Sequence, residues 1–206
     1  MVMSLIDETH PAAPAVGPIS REARGLAIVL LFAAYEELLT SLTRTLLETV
    51  VRMRISNRRM QPGFKAFAVR NSVRSLRDVS ERKLFVSAIP TMLELTERTD
   101  QHPTVDTNDF PHDGSFMKRT QIEVWARTFR VGPPATILKR TWNSIDAVVS
   151  QRNQVAHGAL TPQDVGRNYT ESEVRKLVSD WSADWEDFLL HVEKCASTRD
   201  FFRVPR

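Results

Sequence analysis

The chain is poor in cysteine, and its histidines lack the spacing of a metal site. Cys195 is the only cysteine among 206 residues. A single cysteine excludes an internal disulfide framework and a cysteine-based zinc site, and it is typical of a protein of the reducing cytoplasm. None of the five histidines follows the HxxxH or HExxH spacing that presents two ligands to zinc. The sequence therefore predicts no metal site.

Glycine-rich loops and long apolar runs are also missing. The chain has seven glycines and contains no P-loop, no glycine-rich dinucleotide turn and no serine nucleophile elbow, so we expect no cofactor. The longest apolar run, Leu26–Tyr35, is far shorter than the roughly 20 residues that span a bilayer. It also lacks a signal-peptide cleavage pattern. These features predict a cytoplasmic protein that does not enter a membrane.

Apolar periodicity predicts an all-α protein. Apolar residues recur at helical spacing along several stretches, and no stretch sustains the alternation of a β-strand. We expect a bundle of about five to six helices. Residues 1–19 include three prolines and Gly17 and are expected to be disordered or loosely docked, so that residues 20–206 form a single domain.

The longest helical pattern runs from Arg21 to about Arg54 and predicts a central first helix with Ser20 as its N-cap. Other segments are predicted from turn and cap signals. We expect a basic connector over 55–70 with a turn at Pro62-Gly63, a helical region over Val73–Thr99 interrupted at Pro90, a loop over Asp100–Gly114, and helices over Lys118–Arg130, from Pro133 to about His157, and from Thr170 onward.

Positive charge is concentrated in one segment. The net charge of the chain is +3, but ten basic residues and two acids lie between Arg52 and Lys83. Such a segment can bind a polyanion by releasing counterions from phosphates. The alternative is a solvated helix face joined to an arginine-rich loop. If the segment binds RNA, the candidate contact residues are Arg58, Arg59, Arg70 and Arg74.

The segment 152–158, Arg-Asn-Gln-Val-Ala-His-Gly, is the clearest candidate for a chemical site. An imidazole that moves a proton and a guanidinium that holds a phosphate are the groups that metal-free RNA cleavage needs. Five helical positions correspond to about 140° around the axis, so Arg152 and His157 do not share a face. They converge only if the helix end unwinds or a second subunit contributes its own pair. The spacing favours a composite site in a homodimer.

This motif resembles that of the HEPN superfamily. Arg152-Asn153-x-x-Ala156-His157-Gly158 ends a helix, and Tyr35-Glu36-Glu37-Leu38 lies on a long upstream helix, as in that superfamily. The resemblance implies a small helical bundle, metal-independent endoribonuclease activity, and dimers whose two motifs meet at the interface. It also implies a toxin or phage-defence effector, with an antitoxin or a neighbouring defence protein as partner. One branch is regulated through a tyrosine two residues after the histidine, and Ala159 stands there instead.

The resemblance assigns catalysis to Arg152 and His157. The ribose 2′-OH would attack the adjacent phosphorus, with His157 as general base or acid and Arg152 stabilising the charge of the phosphorane. Asn153 would support the site by positioning the substrate or His157. The expected products are a 2′,3′-cyclic phosphate and a 5′-OH, formed without a metal.

Two alternatives remain open at this point. Arg152 could pair with a surface carboxylate while His157 only caps its helix. The protein could also be a non-catalytic helical module that binds RNA or a partner protein through the basic residues of 52–83. The four tryptophans have the spacing of core or dimer-contact residues rather than base-stacking residues. They are Trp125, Trp142, Trp181 and Trp185.

Overall fold

The computed structural model describes residues 19–77, 79–97, 105–108, 110 and 117–204. Within these ranges the chain is mainly helical, and its only β-type pairing is an isolated bridge between Met60 and Arg203. The predicted all-α bundle with a long first helix is confirmed. The described ranges contain seven α-helices of five residues or more, where about five to six were expected. They are α1 (Arg21–Arg52), α2 (Pro62–Arg77), α3 (Ile89–Glu97), α4 (Arg119–Thr128), α5 (Ile145–Ala156), α6 (Pro162–Gly166) and α7 (Glu171–Ala196).

Helix α1 begins where the sequence predicted. The hydroxyl of Ser20 accepts a hydrogen bond from the backbone N–H of Ala23 at 3.1 Å, which makes Ser20 the N-cap. An 18-residue window of α1 has a mean hydropathy of 1.6, so this helix is long and apolar enough to cross a membrane. The central helix of a soluble core meets the same two criteria. The cytoplasmic location therefore stays a prediction.

The chain after α1 differs from the prediction at two prolines. Pro62-Gly63 begins α2 instead of forming a turn in a connector, because proline fits the first turn of a helix, where no N–H donor is needed. Helix α2 ends at Arg77, well before the interruption predicted at Pro90. The interruption predicted at Pro90 is wrong, because the helical turn Glu81–Lys83 and the π-helical turn Leu84–Ala88 lead without a gap into α3, whose second residue is Pro90. Most of the predicted loop over 100–114 lies outside the described residues.

The single helix predicted from Pro133 to about His157 is wrong in its first half. Only short helical turns precede α5, which begins at Ile145. The cause is Asp184 of α7, a fully buried carboxylate. It accepts hydrogen bonds from the backbone N–H of Arg140 at 2.9 Å and of Thr141 at 2.8 Å. Two N–H donors that a continuous helix would use are thus committed to a side chain of another helix.

The chain divides into two compact units. Unit 1 comprises Met1–Leu39, Pro111–Val124 and Pro133–His191, and unit 2 comprises Thr40–Phe110, Trp125–Gly132 and Val192–Arg206. The prediction that residues 20–206 form one domain stays a prediction. Residues 1–18 of the predicted tail lie outside the described residues, and Ile19 is buried.

Unit 1 contains an aromatic cluster formed by α1 and α7. The ring of Tyr35 lies 4.8 Å from that of Trp185 and 5.7 Å from that of Trp181, measured between centroids. The Tyr35 hydroxyl donates a hydrogen bond to the carbonyl of Met117 at 3.0 Å. Burial raises the pKa of Tyr35 well above its ordinary value, and the negative charge of Asp146 raises it further. The hydroxyl therefore stays protonated and fixes this face of α1.

Helices α1 and α6 of unit 1 approach each other at two glycines. A Cβ atom at Gly25 would overlap the carbonyl oxygen of Pro162, and one at Gly166 would overlap the carbonyl oxygen of Arg21. Both obstacles are backbone atoms, which cannot rotate away as a side chain can. The close approach of the two helices therefore requires glycine at both positions.

Unit 2 has a separate aromatic core. The ring of Phe64 on α2 lies 5.3 Å from the rings of both Phe129 and Phe202. The indole N–H of Trp125 donates to the hydroxyl of Thr43 at 2.8 Å. Trp125, like Trp181 and Trp185 of unit 1, is buried, which confirms these three as core residues, whereas Trp142 is half-buried.

Candidate functional site

The motif 152–158 lies at the C-terminal end of α5 in unit 1. Buried residues at the start of the helix, Ile145, Val148 and Val149, hold α5 against the interior. His157 is the C-cap, and its backbone N–H donates to the carbonyl of Asn153 at 3.0 Å. Gly158 has a φ of 71°, the left-handed conformation that favours glycine after a helix end. The predicted helix end is thus confirmed.

Three groups contact the guanidinium of Arg152. Its central carbon lies 4.4 Å from the centroid of the Phe32 ring on α1. Its Nη2 lies 3.9 Å from Oε2 of Glu36, one turn further along α1. Its Nη1 donates to Oδ1 of Asn153 at 3.1 Å. The side chain keeps 25% of its surface exposed. Arg152 is thus held in one place without being sealed from solvent.

Glu36 is largely buried next to Arg152. Its side chain is only 16% exposed. Opposite charges 3.9 Å apart attract each other more strongly at such a site than in bulk water. A phosphate that binds Arg152 must therefore compete with Glu36.

Sequence reasoning missed Phe32 as a contact of the motif. Phe32 is fully buried and reads as an ordinary core residue of α1. The signal that could have drawn attention to it is its spacing from Glu36, because residues four apart lie on the same face of a helix. One face of α1 therefore presents both an aromatic ring and a carboxylate to Arg152.

His157 is exposed and stands apart from this cluster. Within the described ranges, no hydrogen bond joins its side chain to Arg152. Helix α5 continues regularly to Ala156, so the helix end does not unwind to bring the two side chains together. Ideal helix geometry places positions five residues apart about 140° from each other around the axis. Asn153 contacts Arg152 rather than the imidazole.

Tyr169 holds the residue that precedes Arg152. Its hydroxyl donates a hydrogen bond to Oε1 of Gln151 at 2.7 Å. Burial raises the pKa of Tyr169 and outweighs the opposing effect of this hydrogen bond, with a smaller rise from Glu173. The protonated hydroxyl therefore anchors this side of α5.

The predicted RNA-binding arginines belong to unit 2. Arg58 is exposed and Arg59 is half-buried, and both lie in the short helical turn Asn57–Arg59. Arg70 and Arg74 are one turn apart on α2, and Arg70 is exposed. The side chain of Arg74 falls outside what the structure describes.

A separate apolar groove of about 470 Å³ lies between α1 and α7 in unit 1. Its lining contains no lysine, arginine or histidine, so it offers no cation to a phosphate. In the described part of the chain, no group of three or more histidine, cysteine, aspartate or glutamate residues could hold a metal ion. The groove lining includes Leu31, Leu38, Trp181, Trp185 and Glu186.

Neither a scan against protein-family models nor searches of curated proteins and of solved structures finds a match to this chain. The resemblance to the HEPN superfamily therefore rests on the motif 152–158 and remains a prediction.

Proposed function

We propose that this protein is a metal-independent endoribonuclease that uses Arg152 and His157 and acts as a toxin or phage-defence effector. The observation that carries the proposal is the environment of Arg152. A guanidinium held by Phe32, Glu36 and Asn153, yet still partly exposed, is pre-organised to receive a phosphate. The imidazole of His157 is exposed at the end of the same helix, where RNA can reach it.

In the proposed reaction, the ribose 2′-oxygen attacks the adjacent phosphorus and the bond from phosphorus to the 5′-oxygen breaks. A neutral imidazole of His157 accepts the proton of the 2′-OH, and an imidazolium donates a proton to the leaving 5′-oxygen. Arg152 stabilises the negative charge that develops on the phosphorane oxygens. The products are a 2′,3′-cyclic phosphate and a 5′-OH.

We propose that a second copy of the chain completes the site. Arg152 and His157 point to different sides of a regular α5, so one copy does not present both to the same phosphate. A two-fold axis near the end of α5 would place the histidine of one copy by the arginine of the other, and would supply two imidazoles for the two proton transfers. In the cytoplasm, an antitoxin or a neighbouring defence protein would bind this dimer and control its activity.

Incubating the purified protein with total cellular RNA in EDTA tests the proposal. We expect fragments that end in a 2′,3′-cyclic phosphate, and we expect DNA of the same length to survive because it lacks the 2′-OH. RNA that stays intact over a wide range of protein concentrations would exclude an intrinsic ribonuclease.

Replacing Glu36 by glutamine should tighten RNA binding. The amide keeps the shape of the side chain but removes the charge that competes with phosphate for Arg152. Because the ion pair is worth about 1 kcal/mol, we expect a roughly fivefold lower Kd for a 2′-O-methyl RNA, which cannot be cleaved. The exposed neighbour Glu37→Gln serves as control. Unchanged or weaker binding by Glu36→Gln would show that Glu36 does not compete with phosphate.

The rival function is a non-catalytic module that binds RNA through the basic segment of unit 2. The exposure of Arg58 and Arg70, together with the one-turn spacing of Arg70 and Arg74 on α2, supports it. If this segment binds RNA, the double variant Arg70→Glu/Arg74→Glu should weaken RNA binding. The plot of the logarithm of the association constant against the logarithm of salt concentration should also become less steep, by about 0.7 for each lost phosphate contact. The slope is measured by titration at several salt concentrations. An unchanged slope argues against the basic segment as the RNA contact.

A further inference from the structure

Phe32 has little freedom to move away from Arg152. Its side chain is fully buried in unit 1. Its ring meets that of Tyr35 edge to face, with centroids 6.3 Å apart and an interplanar angle of 84°. Tyr35 is fixed in turn by Trp185 and by its hydrogen bond to Met117. The aromatic cluster of α1 and α7 therefore sets the position of the ring beneath the guanidinium.

A ring and a carboxylate hold an arginine in different ways. The face of an aromatic ring carries negative potential and attracts a cation within about 6 Å of its centroid, and the distance here is 4.4 Å. The ring has no net charge and accepts no conventional hydrogen bond, so it leaves both the positive charge and the N–H donors of the arginine available. A carboxylate in direct contact would neutralise the charge that a phosphate needs.

The other two contacts of Arg152 do not fix its plane. Glu36 lies at 3.9 Å, beyond the length of a good hydrogen bond, and Asn153 is the adjacent residue on the same helix. The guanidinium has five N–H donors, and these two groups engage few of them. Of the three contacts that the described residues give Arg152, Phe32 alone is a rigid surface from a different helix.

We propose that Phe32 is a positioning residue, whose ring holds the guanidinium of Arg152 by a cation–π interaction so that its N–H donors meet an RNA phosphate. The inference rests on the proposed ribonuclease function. Phe32 would then take part in substrate binding, although it is a buried core residue of α1.

Replacing Phe32 by fluorinated phenylalanines tests this role. Substitution with 4-fluoro-, 3,5-difluoro- and 3,4,5-trifluorophenylalanine weakens the negative face of the ring stepwise and changes its size little. We expect the Kd for 2′-O-methyl RNA to rise with each added fluorine, by roughly fivefold for the trifluoro ring, while thermal stability changes little. A residue with only a packing role would not produce this graded loss. With cleavable RNA, the same series should raise KM more than it lowers kcat.

The matched control is Phe64, which is also buried but packs only against other aromatic rings in the contacts described for it. The same analogues at Phe64 should leave the Kd unchanged. If the parent protein cleaves RNA but fluorination of Phe32 leaves the Kd unchanged, the positioning role is wrong and the proposed function stands. A parent that neither binds nor cleaves RNA overturns the proposed function, and the positioning role with it.

Discussion

Replacing His157 by alanine should abolish metal-free cleavage of RNA and leave the fold intact. General acid–base catalysis contributes about 10²- to 10⁴-fold to a rate, so the cleavage rate in EDTA should fall by at least a factor of about 100. The fold should survive because the imidazole is exposed at the end of α5, whereas the hydrogen bond that caps the helix comes from the backbone N–H of His157. The measurements are cleavage rates on total RNA and thermal unfolding of both proteins.

Two further variants make this result specific. Arg152→Lys keeps the positive charge but loses the planar fork of the guanidinium, so it should lose much of the activity as well. Gln154→Ala removes an exposed side chain from the same helix end and should cleave at the parental rate. If His157→Ala cleaves RNA as fast as the parent, the assignment of catalysis to the motif is wrong, and a contaminating ribonuclease or another site becomes the explanation.

Replacing Gly25 by alanine should destabilise the protein severely. The added methyl group would overlap the backbone carbonyl of Pro162, so α1 and α6 must separate to admit it. Overpacking against backbone costs about 3 kcal/mol of unfolding free energy or more. Urea denaturation, followed by circular dichroism, measures the effect as a lower midpoint.

The variant Ala33→Ser, on the same helix, is the control for Gly25→Ala. Ala33 lies on an exposed position of the same helix, so this change should alter the unfolding free energy by about 0.5 kcal/mol or less. Gly166→Ala should repeat the large effect, because its obstacle is the carbonyl of Arg21. A parental urea midpoint for Gly25→Ala would mean that α1 and α6 do not approach each other this closely in solution.

Local signals in the sequence were sufficient wherever the interacting groups lie within a few residues of each other. Ser20 caps α1 through Ala23, and Gly158 ends α5 in the left-handed conformation. Thr170 and Glu173 form a capping box at the start of α7, where the sequence predicts a helix from Thr170 onward, and Glu173 accepts from the Thr170 N–H at 2.7 Å. These hydrogen bonds depress the pKa of Glu173, as expected for a carboxylate that accepts them in its charged form.

The sequence predictions were wrong where two local structures were both allowed. Pro62-Gly63 is compatible with a turn and with the first turn of a helix. The outcome was helical, and Gly63 lies where a Cβ would overlap the backbone carbonyl of Thr128. The helix predicted before α5 is broken by hydrogen bonds to Asp184, which lies more than 40 residues away in the chain. Helical periodicity carries no information about such a distant partner.

The sequence by itself determined the all-helical class, the starts of α1 and α7, the C-terminal end of α5, and the separation of Arg152 from His157 around the helix. Each of these follows from 3.6 residues per turn and from short-range hydrogen bonds. Only the tertiary structure decided that Phe32 and Glu36 meet Arg152. A contact between residues more than 100 positions apart depends on how α1 and α5 pack against each other, and no pattern within either helix specifies that packing.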